Sequence, residues 1–329
     1  MFFKPLVDSL QEKDHEILCT SREYREATEL ARLKNLELKV VGKHGGEEKY
    51  DKLRASALRV FKLAYIVDQF KPDLAITFSS PEGSRVSFGL GIKHYCFSDS
   101  PHAMAVSKLT VPLADRLFCP WIIPYSAWTK IGLPRTRVVK YRALDPAAWL
   151  KRDYPIAKSK ILERLEMEAN KKNILVRLEE SKAAYITECS RKKDGYLFLD
   201  SLVESAGDLA NIVVICRYAD QVKNVIERYG NKVSVIGSAI DGISVINSCD
   251  LFIGAGGTMT AEACLMGKPT ISIAPITFYV ERYLIRSGLL LKASKPIELL
   301  RLARKIVTDP TRHVVQKRNA NIILGKMED

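Results

Sequence analysis

Short apolar runs of strand length alternate with segments of helical spacing along the whole chain. This is the pattern of an α/β protein built mainly on parallel sheets. Residues 2–13 have the spacing of an amphipathic helix, and Ile17–Thr20 and Leu38–Val41 read as short strands with a helix, Tyr24–Leu33, between them. Asp51–Phe70 predicts a long helix stopped by Pro72. Leu74–Phe78 carries no charge, as expected of a strand covered on both faces. Gly83–Gly89 predicts the next helix, and His94–Phe97, Arg116–Cys119 and Val138–Lys140 complete a first series. A charged, helical connector over 145–172 precedes a second series, Ile174–Leu178, Ile212–Arg217, Val233–Ile236, Leu251–Ile253 and Thr270–Ile273, with helices between. From Pro296 onward the pattern is basic and helical.

The two series imply two βαβ assemblies of ordinary domain size, 1–145 and 146–329, the second beginning with a linker helix over 146–172. One feature is unusual. A doubly wound domain normally opens with a strand at the centre of its sheet, whereas this pattern opens with a helix. Either the first strand of the N-terminal domain is missing from these residues or the first sheet is built differently. A missing central strand would leave two facing rows of peptide groups unpaired.

Composition narrows the class. Among 329 residues, 51 Lys+Arg against 38 Asp+Glu give a net charge of +13, with 47% hydrophobic residues. Collagen-like, disordered and disulfide-scaffold chains are excluded. No apolar run approaches the ~18–20 residues of a membrane span, and the start lacks the features of a secretory signal. The seven cysteines form no C-x-x-C pair, which fits a reducing, cytoplasmic setting and argues against a Cys-based zinc site. The five histidines show no H-x-x-x-H spacing, so no metal site is expected. The excess positive charge points to polyanionic company: nucleotides, nucleic acid or an anionic membrane face.

The richest segment is Asp250–Pro275. An apolar strand runs into Gly254, Gly256 and Gly257, followed by Thr258, Thr260 and a helix over Ala261–Met266 that contains Glu262. Glycines let a ligand approach the backbone, and a helix start exposes unpaired N–H groups, so the pair is suited to a diphosphate. The hydroxyls of Thr258 and Thr260 can cap the helix or donate to phosphate oxygens. A carboxylate in the first turn can accept from both ribose hydroxyls. The competing reading is a tight βα turn in which Glu262 only complements the helix dipole.

The full string resembles the nucleotide-sugar loop of GT-B glycosyltransferases, especially the N-acetylglucosaminyltransferase of peptidoglycan synthesis, and the corresponding loop of non-hydrolysing UDP-N-acetylglucosamine 2-epimerases. Further strings carry a closer resemblance: Phe2–Leu6, Thr20–Tyr24, Ser79–Leu90, Ser98–Ala103, Val111–Asp115, Lys140–Asp145, Ile174–Tyr185 and Gly256–Thr270. On these the chain is identified as a member of the domain of unknown function 354 family of archaea and bacteria. The resemblance implies a GT-B-like architecture: two Rossmann-like, doubly wound parallel-sheet domains facing a central cleft. It also implies glycines facing a diphosphate and Glu262 holding the ribose. Members usually begin with a strand and a D-x-x-T-P-type loop before the helix at Phe2–Leu6, which this chain lacks. Arg142-Ala143 stands where a glycine is usual before the Leu-Asp.

Other positions follow from strand ends, where ligands bind in open α/β sheets. Arg177 ends the first strand of the second series, and Ser181 and Lys182 follow in the loop; these can reach a diphosphate, or form a solvated charged loop. Arg217 ends the next strand, and Gly237, Ser238 and Asp241–Ser244 follow another, near where GT-B proteins hold the base. In the first series Ser79, Ser80, Glu82 and Arg85 follow one strand, and Ser98, Asp99 and His102 the next. Asp99 and His102, with Glu82, have the types needed for acid–base work. The alternative is that Ser98 and Asp99 merely cap the following segment. Pro120–Arg137 mixes Trp121, Tyr125 and Trp128 with basic residues, which suits either packing or peripheral membrane contact.

The function expected is metal-independent glycosyl transfer from a UDP-sugar, which is a substrate and not a cofactor, to an acceptor that lipid-linked molecules would include. Alternatives are UDP-sugar epimerisation or hydrolysis, or a non-catalytic nucleotide-sugar-binding module. Nucleic acid is not an expected partner, because no recognition motif accompanies the charge.

Overall fold

The computed structural model describes residues 2–46, 48–152, 165, 167–168, 170–178, 196–206, 210–238, 240–309 and 311–328. The chain divides into two compact units, Met1–Asp145 and Pro146–Asp329. No helix among the described residues is long and apolar enough to cross a membrane.

In the first unit, α1 (Lys4–Gln11), β1 (Thr20–Glu23), α2 (Arg25–Leu33), β2 (Lys39–Lys43) and α3 (Lys49–Phe70) precede β3 (Leu74–Phe78). Then come α4 (Pro81–Gly89), β4 (Lys93–Phe97), α5 (Met104–Thr110), β5 (Arg116–Pro120), α6 (Tyr125–Thr129) and β6 (Val138–Tyr141). Every strand pairing is parallel, but the described strands form two sheets, β1-β2 and β3-β4-β5-β6. The first strand therefore starts three residues later than its apolar pattern suggests, and the unit's sheet is in two pieces. Its division also explains a departure at β3. That strand was expected to be covered on both faces, yet Leu74 and Phe78 are each 37% exposed, because β3 borders its sheet. Phe2 and Phe3 pack edge-on against Phe78, with centroids 5.1 and 6.5 Å away. Helix α3 packs on β2 and on α4, and Val41, Leu63 and Val86 form a small core among them. Trp128 is fully buried, and the Tyr125 ring lies between the Arg135 guanidinium and the Lys140 ammonium.

The second unit opens with α7 (Ala147–Leu150); most of the connector expected over 146–172 lies outside the described residues. Its strands are β7 (Lys172–Arg177), β8 (Ala210–Ile215), β9 (Ser234–Ile236), β10 (Leu251–Gly254), β11 (Thr270–Ser272) and β12 (Leu291–Lys292). They form one parallel sheet in the order β12-β11-β10-β7-β8-β9. Helices α8 (Leu197–Ala206), α9 (Ala219–Tyr229), α10 (Gly242–Asn247), α11 (Thr258–Leu265), α12 (Tyr279–Arg286), α13 (Pro296–Thr308) and α14 (Arg312–Gly325) connect or follow them. One sheet face packs Ile174, Val214 and Ile253, and the other packs Leu175, Val213 and Phe252. Burial on both faces is why these strands read as uninterrupted apolar runs.

Candidate functional site

The carboxyl ends of β7, β10 and β11 are level. Arg177 pairs in register with Gly254, and Gly254 with Ser272. Gly254 must be small: a Cβ there would stand 2.4 Å from the Thr260 hydroxyl. The chain leaves β10 through Gly256 and Gly257, at φ 89° and 79°, and enters α11 at Thr258. These left-handed angles suit glycine alone, and a Cβ on Gly257 would meet nothing within 4 Å. The immediate surroundings of Gly257 are open among the described residues.

Gly257 caps α11 without a side-chain hydrogen bond. Ala261 N–H makes the first backbone bond of the helix, to Gly257 O at 3.2 Å, so the amides of Thr258, Met259 and Thr260 precede the ladder. The two threonines part company. Thr258 is exposed at the mouth. Thr260 is buried, and its hydroxyl donates to Gly256 O at 3.0 Å, bracing the loop from inside.

Glu262 is buried one turn further in. Trp149 on α7 donates its indole N–H to Glu262 Oε1 at 3.0 Å. The other oxygen, Oε2, lies 3.6 Å from where a Cβ on Gly242 would stand, at the start of α10. Asp241–Ser244, read as a strand-end loop, forms the entry of α10, where Asp241 holds the N-cap position without a side-chain cap bond and the Ser244 hydroxyl donates to Asp241 Oδ2 at 2.7 Å. Arg177 donates to Ile215 O at 3.4 Å, which stretches its side chain across the ends of β7 and β8. Arg217 follows β8, with its own N–H held by Gln221 Oε1 at 2.9 Å. Gly237 has a packing reason for its identity: a Cβ would come within 2.7 Å of Val222 on α9. Ser181, with Glu179–Lys182, lies outside the described residues.

Sequence reading missed a buried cluster beside the loop. Lys292, at the end of β12, donates to Ala274 O at 2.5 Å and meets Glu281 Oε1 at 3.0 Å. Ser272 also donates to Glu281. Gly256 faces Ala274, where a Cβ would sit 3.6 Å away, so this network fixes the wall against which the glycine loop rests. The two-residue strand β12 gave no periodic signal for it.

In the first unit the expected residues separate into two groups. Ser80 caps α4, accepting from Gly83 N–H at 3.2 Å. Glu82 is buried against Arg59 at 2.9 Å, and the Ser56 hydroxyl donates to its other oxygen at 2.7 Å. Arg59 also donates to Val41 O at 2.9 Å. Burial pushes the Glu82 carboxyl up, but the Ser56 hydroxyl, its own backbone and Arg59 outweigh this and hold it below the ordinary range. Glu82 is thus an ionised strut between α3 and α4. Arg85 is exposed on α4 and its guanidinium runs along Gly89.

The second group lies at the carboxyl ends of β4 and β6. Asp99 Oδ1 accepts from the Ser100 hydroxyl at 2.6 Å, and burial raises its carboxyl. His102 is half-buried, and desolvation lowers its imidazole to about 4. Two residues that sequence reasoning noted only as part of a family string join them. Tyr141 donates to Asp145 Oδ1 at 2.5 Å. Burial, with the nearby Asp99 charge, pushes the Asp145 carboxyl up to about 8 against the pull of that hydrogen bond. The group therefore holds a neutral imidazole and a carboxyl that keeps its proton at neutral pH. The i, i+4 spacing of Tyr141 and Asp145 past a strand end is the sequence signal that could have found them.

The family model described as Protein of unknown function (DUF354) matches residues 1–329. An uncharacterised protein of Methanocaldococcus jannaschii, MJ0665, is 31% identical over 306 residues, 91% of this chain and 86% of the relative. Among solved structures, UDP-GlcNAc 2-epimerase from Neisseria meningitidis bound to UDP-GlcNAc has a TM-score of 0.74 at 13% identity, covering 98% of this chain and 95% of that one. The glycotransferase of kitacinnamycin has a TM-score of 0.59 at 13% identity, covering 98% and 92%. At these identities the likeness shows the fold, which is α/β with parallel sheets and of the GT-B and 2-epimerase type. With the whole chain matched by the family model and 91% of it by the archaeal relative, the protein belongs to the DUF354 family.

Proposed function

We infer that this nucleotide-sugar-related GT-B protein binds a UDP-sugar at the mouth of α11 and catalyses transfer of the sugar. The observation that carries the reading is the open space over Gly257, at a helix start whose leading amides lie ahead of the ladder. A diphosphate set there meets backbone N–H groups, the positive end of the helix and Arg177, the residue type suited to bidentate phosphate contact. Glu262, oriented by Trp149, accepts from the ribose hydroxyls. Such donors stabilise the charge that develops on the leaving diphosphate without reorganising during the reaction. The proposed chemistry therefore needs no metal and no cofactor; the sugar nucleotide is its substrate.

Asp99, His102 and Asp145 are the proposed acid–base set. His102, neutral at physiological pH, can take a proton from an acceptor hydroxyl, and Asp145, still protonated there, can give one up. This pairing of a proton donor with proton acceptors also favours a second reading, epimerisation or hydrolysis of the UDP-sugar, which needs both on one sugar. Incubation with UDP-N-acetylglucosamine tests the choice. UDP released only when an acceptor is present means transfer; UDP or an epimer formed without one means the second reading. No turnover together with no binding sinks both.

A further inference from the structure

Helix α11, which carries Glu262, packs against both α7 and α14. The α14 side is tight. A Cβ on Gly267, just past the end of α11, would stand 2.5 Å from Lys317 Cα, so α14 rests where α11 leaves no room for a side chain. Ala320 on α14 is fully buried, and Gln316 anchors the helix by donating to Leu289 O at 2.6 Å. On the other side the Trp149 indole reaches Glu262. The two flanking elements are also tied to each other. Lys151 Nζ donates to Met327 O at 2.7 Å, just beyond the end of α14, and Met327 is itself buried. A cation at that place meets the negative end of the helix. Trp149 and Lys151 are two residues apart, a spacing that turns side chains to different sides of a helical turn. One grips α11 and the other grips the end of α14.

We propose that Lys151 is a positioning residue: by fastening α7 to the end of α14 it holds the Trp149 indole on Glu262, and so sets how the Glu262 carboxylate meets the ribose. The proposal rests on the reading of Glu262 as the ribose acceptor. Helix α7 has four residues, and one turn of helix does not hold its own shape in water. Its place is set by what its side chains grip. An indole has a single N–H to donate, so its ring must be aimed for the bond to Glu262 to form. A group that binds ligand works at its best only when its supporting contacts fix its geometry. The ammonium of Lys151 is engaged with α14, so its effect passes through Trp149 and Glu262 to the ribose hydroxyls. The diphosphate, which the glycine loop and the leading amides of α11 receive, should not feel it.

The test is calorimetric titration of the full chain with UDP and with 2′-deoxy-UDP, which lacks one of the two hydroxyls that Glu262 would hold. Wild type is expected to favour UDP at least about tenfold, the worth of one hydrogen bond to a charged group. Lys151→Met should lower UDP affinity about threefold, a part of that bond, and leave 2′-deoxy-UDP nearly unchanged. Lys151→Arg can still donate and should restore the preference. In a Trp149→Phe background Lys151→Met should add nothing, because the two residues act in series. A second readout needs no nucleotide. The Trp149 indole N–H resonance, identified by its loss in Trp149→Phe, should move in Lys151→Met in the same direction as in Glu262→Ala, and keep its wild-type position in Lys151→Arg. An unmoved indole resonance in Lys151→Met overturns the proposal. So does an equal loss of affinity for UDP and 2′-deoxy-UDP, the mark of a general loosening, or a loss that adds in full to that of Trp149→Phe. If wild type binds neither nucleotide, the ribose reading fails, and the indole resonance alone decides whether Lys151 holds Trp149 on Glu262.

Discussion

Replacing Asp145 with Asn keeps the shape of the Tyr141 contact and removes one titration. In the folded protein the Asp145 carboxyl, moved from 3.8 to about 8, keeps its proton; in the unfolded chain it loses it near its ordinary value. Between those values the folded state binds more protons, so its stability falls as pH rises. His102 acts in the opposite sense. Its imidazole, lowered from 6.5 to about 4, stays neutral in the fold while the unfolded chain takes up a proton below its ordinary value, so stability rises with pH between the two. The two slopes oppose one another below the ordinary histidine value, and only the carboxyl slope remains above it. From there to about pH 8 the interval is about 1.5 pH units, so at about 1.4 kcal/mol per unit the wild type should lose about 2 kcal/mol. Asp99, also raised, adds a contribution of the same sign. Urea unfolding of the full chain, followed by tryptophan fluorescence at pH 6.5, 7.2 and 8.0, reads this directly. Asp145→Asn should be clearly flatter than wild type over that range, keeping only the Asp99 contribution, and more stable than wild type at its upper end. Parallel wild-type and variant slopes would refute the reasoning, because the proton would then not reside on Asp145.

Glu82→Gln should lower stability by about 3–5 kcal/mol, since it leaves the buried Arg59 charge without its partner; chemical denaturation checks it, and UDP binding should be unchanged. Gly237→Ala forces a methyl against Val222 and should cost about 1–3 kcal/mol, read as a lower melting temperature with ligand binding retained. Gly257→Val places a β-branched residue at φ 79°. It should cost at least about 1 kcal/mol and reduce UDP affinity more than tenfold by filling the open mouth, measured by calorimetry. Trp149→Phe removes the indole donor to Glu262 and should weaken UDP several-fold without abolishing binding.

How far the sequence reached depended on what each segment buries. The strands of the second unit were legible because Leu175, Val214 and Phe252 are covered on both sheet faces and leave unbroken apolar runs. The glycine loop was legible because Gly256 and Gly257 need left-handed backbone that other residues avoid. Pattern alone did not separate Thr258 from Thr260, since only the packing of Gly254 decides which hydroxyl turns inward. Glu82 read as a candidate acid because its partner, Arg59, lies 23 residues away on another helix. Trp149 read as part of a connector, and its bond to Glu262 spans 113 residues. Such contacts are set by tertiary packing, and no local period encodes them.

Glu262 and the mouth of α11 are proposed to receive a nucleoside diphosphate. Calorimetric titration of UDP into wild type and Glu262→Ala tests it most directly. A carboxylate accepting from ribose hydroxyls is worth about 1.5–3 kcal/mol. Wild type should bind measurably, and the variant should lose about 10–100-fold. Equal affinity of the two proteins for UDP would contradict it.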